Sequence, residues 1–404
     1  MARRHFMPLS DTPQAATSAR ALTIAANAAF VPIGIATVLL SPMLPILSAR
    51  WSLSDAQAGA LFTAQFLAST LAVALSGVLV SRWGYRLAIN AGLLTMALGI
   101  GALPLSSHLT GLACIALYGF GSGLAIPAAN LLVGEVNPHR RSAALSLLNF
   151  SWSLGAVACP FLVAGAAAAH RIPRLLALVA AFMVLVALGV GAAGSSVVEP
   201  ASAAPRRRKT QPPIAWSERS LLILGTLFFL YVGTENAYAG WTAAYARSLG
   251  TLPPAVAVMT PSFFYFALLA GRWLASQLLR RIEEVRLARA GLLIACTGMA
   301  GLLVSHTLAS VVVSVSIAGL GLSSVYPITI SLLSRTFGSA ASRVGSVMFA
   351  MANLGGACLP WLVGFCSTHF GSLRVGLAVP LIAGMLMYVS YSSQWKSAQP
   401  QSDQ

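Results

Sequence analysis

With 404 residues, 57% of them hydrophobic and only 8% charged, the chain has a mean hydropathy of +0.80. Soluble domains carry about a quarter charged residues, so this composition excludes one: there is too little polar surface to face water. The formal net charge of +16 raises nucleic acid as a partner, and the placement of that charge along the chain excludes it.

Apolar runs of about 20 residues, the length that a bilayer core requires, recur from end to end. They predict an all-α integral membrane protein with twelve transmembrane spans, at residues 22–46, 56–79, 87–105, 109–134, 143–167, 174–193, 219–247, 255–280, 287–304, 308–334, 345–368 and 375–393. A membrane β-barrel would show alternating segments of about ten residues, which these continuous runs are not. Residues 1–21, with Asp11 and scattered polar groups, read as a cytoplasmic tail and do not resemble a cleavable signal peptide. With that tail inside, 19 of the 25 Lys and Arg fall on the cytoplasmic side, five in outer loops and Arg272 within a span. This is the positive-inside bias. It predicts an inner (plasma) membrane protein with both termini cytoplasmic, surrounded by lipid bilayer, monomeric and without nucleic acid.

In chain order, span 1 carries Asn27 and span 2 carries Gln65. In span 4, Gly119-x-Gly121-x-Gly123 sits inside an apolar helix and reads as a packing signal rather than a nucleotide loop. Asn149 and Trp152 follow in span 5. Residues 194–218, with "EPASAAPRRRKTQPP" at their centre, are too poor in apolar groups to order themselves and predict a flexible cytoplasmic linker. Its Arg206-Arg207-Arg208-Lys209 cluster serves as a topology determinant and could bind anionic headgroups.

Span 7 then contains "FFLYVGTENAYAGW", residues 228–241, which places Glu235, one of nine acidic residues, deep in an apolar run. A charge at bilayer depth costs at least about 2.5–3.5 kcal/mol, so Glu235 is expected to face protein or water. Phe228, Tyr231, Glu235, Tyr238, Thr242 and Tyr245 recur at spacings of 3 and 4, along one helix stripe. Rings, hydroxyls and one acid suit a sugar-like ligand: rings cover its C–H face and polar groups meet its hydroxyls. The competing reading is a protonated Glu bonded to a neighbouring helix. Asn236 points elsewhere on the same helix. Arg272 near the cytoplasmic end of span 8, Tyr326 in span 10 and Asn353 in span 11 complete the intramembrane polar set. Amides between membrane helices also act as interhelical glue, and Arg272 could simply snorkel.

The five cysteines fall in spans with no C-x-x-C pair, and the six histidines do not cluster. No H-E-x-x-H, Walker A loop or G-x-S-x-G elbow is present. Neither a metal, a cofactor nor an enzyme activity is expected.

A shift of 200 residues aligns Gly119-Phe-Gly121 with Gly319-Leu-Gly321, Pro127 with Pro327, Leu154-Gly155 with Leu354-Gly355 and Pro160 with Pro360. The chain therefore divides into two homologous six-helix halves, 22–193 and 219–393, with a second cytoplasmic tail at 394–404.

Six plus six spans around a basic central loop resemble the major facilitator superfamily over roughly residues 22–393. The superfamily's loop 2–3 motif, Gly-x-Leu-Ala-Asp-Arg-x-Gly-Arg-Arg, stands here as Gly77-Val-Leu-Val-Ser81-Arg82-Trp83-Gly84-Tyr85-Arg86. The resemblance implies a cytoplasmic gate formed by Gly77, Ser81, Arg82, Gly84 and Arg86, by the basic turn Arg140-Arg141, and by Arg272. Its glycines would allow close helix approach and a tight turn. Ser81 replaces the family aspartate, so the usual carboxylate lock is missing. "YVGTENAYAGW" and "GRWLASQLLRRI" are similar to the fucose–proton symporter branch and its sugar-porter relatives. The resemblance also implies a central cavity lined by Tyr231, Glu235, Asn236, Tyr238, Thr242, Gln65, Asn149, Trp152, Tyr326 and Asn353, with Glu235 coupling the proton. A partial drug-exporter signature, Gly155-Ala-Val-Ala-Cys159-Pro160, keeps efflux of a drug or amphipathic metabolite open as the alternative. A membrane sensor or scaffold that kept the fold is the reading from another class. The expectation is a secondary active transporter taking up a sugar or similar small polar solute with a proton.

Single cysteines placed in loop 200–212 should react with impermeant maleimide only from the cytoplasm, and ones near Ser107 or Gly250 only from outside. Labelling of the 200–212 loop from outside would overturn the topology.

Overall fold

The computed structural model describes residues 13–192, 218–250, 253–337 and 341–398, and among these it is helical with no strand. The predicted linker, apart from Glu218 at the start of span 7, lies outside the described residues, as do residues 1–12 and 399–404. The spans are Pro13–Val38 with Leu40–Trp51, Asp55–Ala102, His108–Val136, Arg141–Ala168, Ile172–Ala192, Glu218–Ser248, Pro254–Leu278, Glu284–Leu303, Leu308–Leu322 with Val325–Phe337, Ala341–Phe370, and Leu373–Gly376 with Ala378–Ala398. The first and last helices run into the predicted tails, starting at Pro13 and ending at Ala398. The Ala-rich sequence 13–21 favours helix and carries it past the hydrocarbon.

Eleven of these helical stretches are long and apolar enough to cross a membrane, and one of them, Asp55–Leu105, has 51 residues. A helix of that length would rise about 77 Å, more than twice the roughly 30 Å of a hydrocarbon core. The chain reverses within it at Gly84, whose φ of 87° and ψ of 170° are open to glycine and strained for other residues. Spans 2 and 3 are therefore separate crossings, the total is twelve, and both described ends lie at one face of the bundle, here the termini end. Span 2 begins with a capping box: Gln57 N–H donates to Ser54 Oγ (3.3 Å) and Ser54 N–H donates to Gln57 Oε1 (3.0 Å).

The internal repeat reappears as repeated contacts. A Cβ on Gly155 would strike the Val31 carbonyl of span 1, and a Cβ on Gly355 would strike the Phe229 carbonyl of span 7. Each glycine brings two backbones to near contact, the close packing on which membrane helices rely in place of a hydrophobic drive. Gly77 behaves otherwise: a Cβ there meets nothing within 4 Å. The close helix approach expected of it is corrected, because this part of span 2 has no helix against that face. Gly84 supplies the turn.

The two halves join at the end opposite the termini. Ser367 Oγ donates to the Asp55 carboxylate, Ala56 N–H to Thr368 Oγ1 (2.9 Å), Ser41 Oγ to Ala239 O (2.6 Å) and Thr63 Oγ1 to Ala357 O (2.8 Å). Nearer the middle, Ser262 Oγ donates to Val157 O (2.9 Å). Towards the termini end the halves splay. On span 5, Ser146, Leu147, Asn149 and Phe150 are exposed around most of the helix, whereas Gly155, Ala156, Cys159 and Pro160 further along are buried. The structure is a bundle closed at the loop 1–2 end and open towards the termini end.

Gly155→Leu and Gly355→Leu should each destabilise the protein by at least about 1–3 kcal/mol through overpacking, while Gly77→Ala should stay within about 0.5 kcal/mol of the parent. Thermal unfolding in detergent measures all three.

Candidate functional site

Midway along span 7, Glu235 lies deep among protein atoms yet keeps part of its surface open to water-sized space. Among the described residues it forms no ion pair; the salt bridges, Arg286–Glu283 at 3.4 Å and Arg335–Glu284 at 3.1 Å, lie at the termini end. The groups that act electrostatically on its carboxyl are the Arg272 guanidinium of span 8 and the Tyr231 hydroxyl one turn back. The same carboxyl in turn acts on Tyr265 of span 8 and Tyr326 of span 10.

Aromatic rings wall this space. Tyr231 stacks on Tyr326 with centroids 5.1 Å apart at 27°, and Phe228 meets Tyr326 edge-on at 5.9 Å. From the other half comes Trp152, fixed because its Nε1–H donates to Thr37 Oγ1 at 3.0 Å. The Arg272 guanidinium sits 6.0 Å from the Trp152 ring centroid, and Tyr265 stands edge-on to that ring at 6.4 Å. Arg272 Nε is buried without a hydrogen-bond partner in the protein, and the Tyr231 hydroxyl has none but the neighbouring Glu235 carboxyl. Leaving such a group unpaired costs about 1–3 kcal/mol, the condition of a site shaped for something else.

The predicted stripe on span 7 divides. Phe228, Tyr231 and Glu235 belong to the cluster. Tyr238 is fully buried and donates to Gly298 O of span 9 (3.2 Å), Thr242 donates to Tyr238 O (2.7 Å), and Tyr245 donates to Ser305 O (3.0 Å). These three fasten span 7 to its own half, so Tyr238 and Thr242 are corrected from cavity lining to packing. Gln65 is corrected likewise: buried, its Nε2 donates to Thr37 O (3.1 Å) and its Oε1 accepts from Tyr118 (3.2 Å), which ties spans 1, 2 and 4. Asn236 and Asn353 are half-buried, Asn236 giving its Nδ2 to Val232 O (2.8 Å). Asn149 is exposed at the opening, with Nδ2 on Leu145 O (2.9 Å). Tyr265 is a cluster residue that the sequence reading missed. Its signal was available, since it stands seven residues before Arg272, two helical turns along the same face.

The predicted gate lies at the termini end. Ser81 donates to Val78 O (2.9 Å) and is exposed with Arg82; Arg86 is half-buried, Arg140 is exposed, and Arg141 lays its guanidinium against Gly134. Arg272 is the exception. Instead of snorkelling to that end as a gate residue, it turns inwards to Trp152 of the other half, because it shares the inward face of span 8 with Tyr265. A separate cavity of about 860 Å³, lined by Asp55, Trp241, Arg247, Ser367 and Arg374 among others, opens at the loop 1–2 end. It is a vestibule beyond the closure and Glu235 does not line it.

A twelve-span bundle with a polar, ring-walled cluster between its halves is the architecture of a membrane carrier. The model of the Major Facilitator Superfamily matches residues 26–360, and the chain belongs to that family of transporters. It is 23% identical over 378 residues to an uncharacterized MFS-type transporter of Yersinia pestis, covering 92% of this chain and 94% of the relative. It is 27% identical over 341 residues to a glucose/galactose transporter of Brucella abortus, 80% of each chain. Among solved structures, the nucleoside transporter NupG superposes with a TM-score of 0.74 at 12% identity, covering 95% of this chain and 100% of NupG. The protein is a multi-pass membrane transporter and not an enzyme.

Tyr238→Phe should cost about 1 kcal/mol, since it removes a buried hydrogen bond between spans 7 and 9. Tyr231→Phe removes a hydroxyl whose one neighbour is the Glu235 carboxyl of the same helix and should change stability by less than about 0.5 kcal/mol. Thermal unfolding of the two variants side by side checks the contrast.

Proposed function

We propose that the protein is a proton-coupled secondary transporter that carries a small hydroxylated solute, sugar-like in body, into the cell by alternating access. One observation carries this reading: a carboxyl group at mid-bundle, between the halves, open to water-sized space and without an ion pair. Such a group can take a proton from one side and release it to the other as the cavity changes face. Its protonation changes the net charge that a closing, water-poor cavity must enclose together with Arg272, and so ties closure to proton and solute. The half-buried rings of Tyr326 and Trp152 offer flat apolar faces that suit the C–H face of a sugar ring. The sugar transporter among the relatives supports the same solute class. With the positive-inside rule placing the basic termini end in the cytoplasm, the described conformation is the one open inwards.

Glu235→Gln keeps hydrogen-bonding capacity and cannot ionise. In proteoliposomes assayed with a panel of hexoses, pentoses, nucleosides and their acid derivatives, wild type should accumulate at least one solute under an inward proton gradient. The variant should lose that accumulation at least tenfold and still exchange the solute across the membrane. Undiminished concentration of solute by Glu235→Gln would falsify the coupling role.

A further inference from the structure

Glu235 and Arg272 are of opposite charge and interact through space, yet neither is in an ion pair with the other or with any described residue. The guanidinium is seated against Trp152 of the opposite half, and its Nε is buried without a partner. A guanidinium presents parallel N–H groups that match the two oxygens of a carboxylate. We propose that the transported solute is a monocarboxylate with a hydroxylated body, bound by Arg272 and moved together with one proton held on Glu235. This inference rests on the transport reading of the same cavity and names the class of solute.

Charge balance selects that class. The groups around the charged pair are Glu235 and Tyr231 from span 7, Arg272 and Tyr265 from span 8, Tyr326 from span 10 and Trp152 from span 5. Other carboxylates sit at the ends of the bundle: Asp55 at the closure, Glu135 on Tyr85 (2.6 Å) and Glu284 on Ser331 (2.9 Å) at the termini end. Empty, the cavity holds Glu⁻ and Arg⁺ and is neutral, so it can close and change face. Loaded with one proton and one monoanion it is neutral again. A proton alone leaves a net positive charge, a monoanion alone a net negative charge, and a neutral sugar with a proton leaves a net positive charge. Each unbalanced state must bury an uncompensated charge, which low-polarity surroundings penalise. Arg272 thereby couples the two ligands: the proton releases it from the field of Glu235, and the carboxylate then takes the place of that field.

The test uses the full chain purified in detergent and thermal shifts with D-gluconate, D-glucuronate, D-glycerate and L-lactate beside D-glucose, D-galactose and glycerol, at pH 6 and pH 8. At least one carboxylate should raise Tm by about 2 °C or more, more strongly at pH 6 than at pH 8 in wild type and equally at both in Glu235→Gln. Because Arg272→Gln alone leaves Glu235 without a counter-charge and risks the fold, the double variant Arg272→Gln/Glu235→Gln is compared with Glu235→Gln. It should bind the same carboxylate at least tenfold more weakly. In proteoliposomes, accumulation of that carboxylate should follow a pH gradient and not a valinomycin potential. The proposal is overturned if no carboxylate stabilises wild type, if the double variant binds as well as Glu235→Gln, or if the membrane potential drives uptake. Stabilisation by glucose or galactose with none by the acids would sink it while leaving proton-coupled sugar transport standing.

Discussion

The cost of placing charge in a medium that cannot solvate it governs this molecule. Only 8% of the chain is charged, and among the described residues most of that charge sits at helix ends. Glu235 and Arg272 are the two of the described residues that reach the middle. They tolerate the depth because each lies in the field of the other and beside a space that water can enter. Around them the protein supplies polarisable rings in place of further charges. The Arg272 guanidinium over Trp152 is a modest attraction at 6.0 Å, of the order of 0.5–1 kcal/mol, and it orients the cation without neutralising it.

The closure at the loop 1–2 end is built from different material. Its links are hydroxyls and amides donating to carbonyls and hydroxyls, with one carboxylate, Asp55, accepting from Ser367. Bonds of the neutral kind contribute about 0.5–1.5 kcal/mol each. A handful of them holds the halves together firmly enough to define a state and weakly enough to be exchanged for a closure at the other end. States separated by a few kcal/mol are what a rocking carrier requires. Glycines bring backbones together within each half, as at Gly155 and Gly355, and also across the closure, where a Cβ on Gly364 would strike the Asp55 carbonyl.

Most of the fold was legible in the sequence because hydropathy, the basic loops and the repeated Gly and Pro positions report separately on the same architecture. The site was legible in part. Glu235 declared itself as a lone acid in an apolar run, and Tyr231, Trp152 and Tyr326 lie beside it. Tyr238, Thr242 and Gln65 did not separate from them, because a helix in the middle of a bundle has protein on every side. A hydroxyl that meets the Gly298 carbonyl and one that meets a cavity have the same spacing in the sequence. The inward turn of Arg272 was hidden for another reason: a long side chain near a helix end can reach either way, and the direction is decided by Trp152, more than a hundred residues away in the chain. Gly77 shows the converse, a motif glycine whose expected neighbour is missing from its face in this conformation.

The cluster also joins the two halves in a way that bears on coupling. Trp152 belongs to the first half, and Tyr231, Glu235, Tyr265, Arg272 and Tyr326 to the second. On the proposed alternating-access cycle, rocking the halves about the closure changes the distance from Trp152 to Arg272, and with it the surroundings in which the cation sits. A ligand held between them therefore interacts differently with the two orientations, and only a differential interaction can shift an equilibrium between conformations. A substrate bound wholly within one half would ride along without biasing the motion. Because the charged pair lies in one half and the ring that holds its cation lies in the other, a change of protonation or occupancy acts on the seam itself.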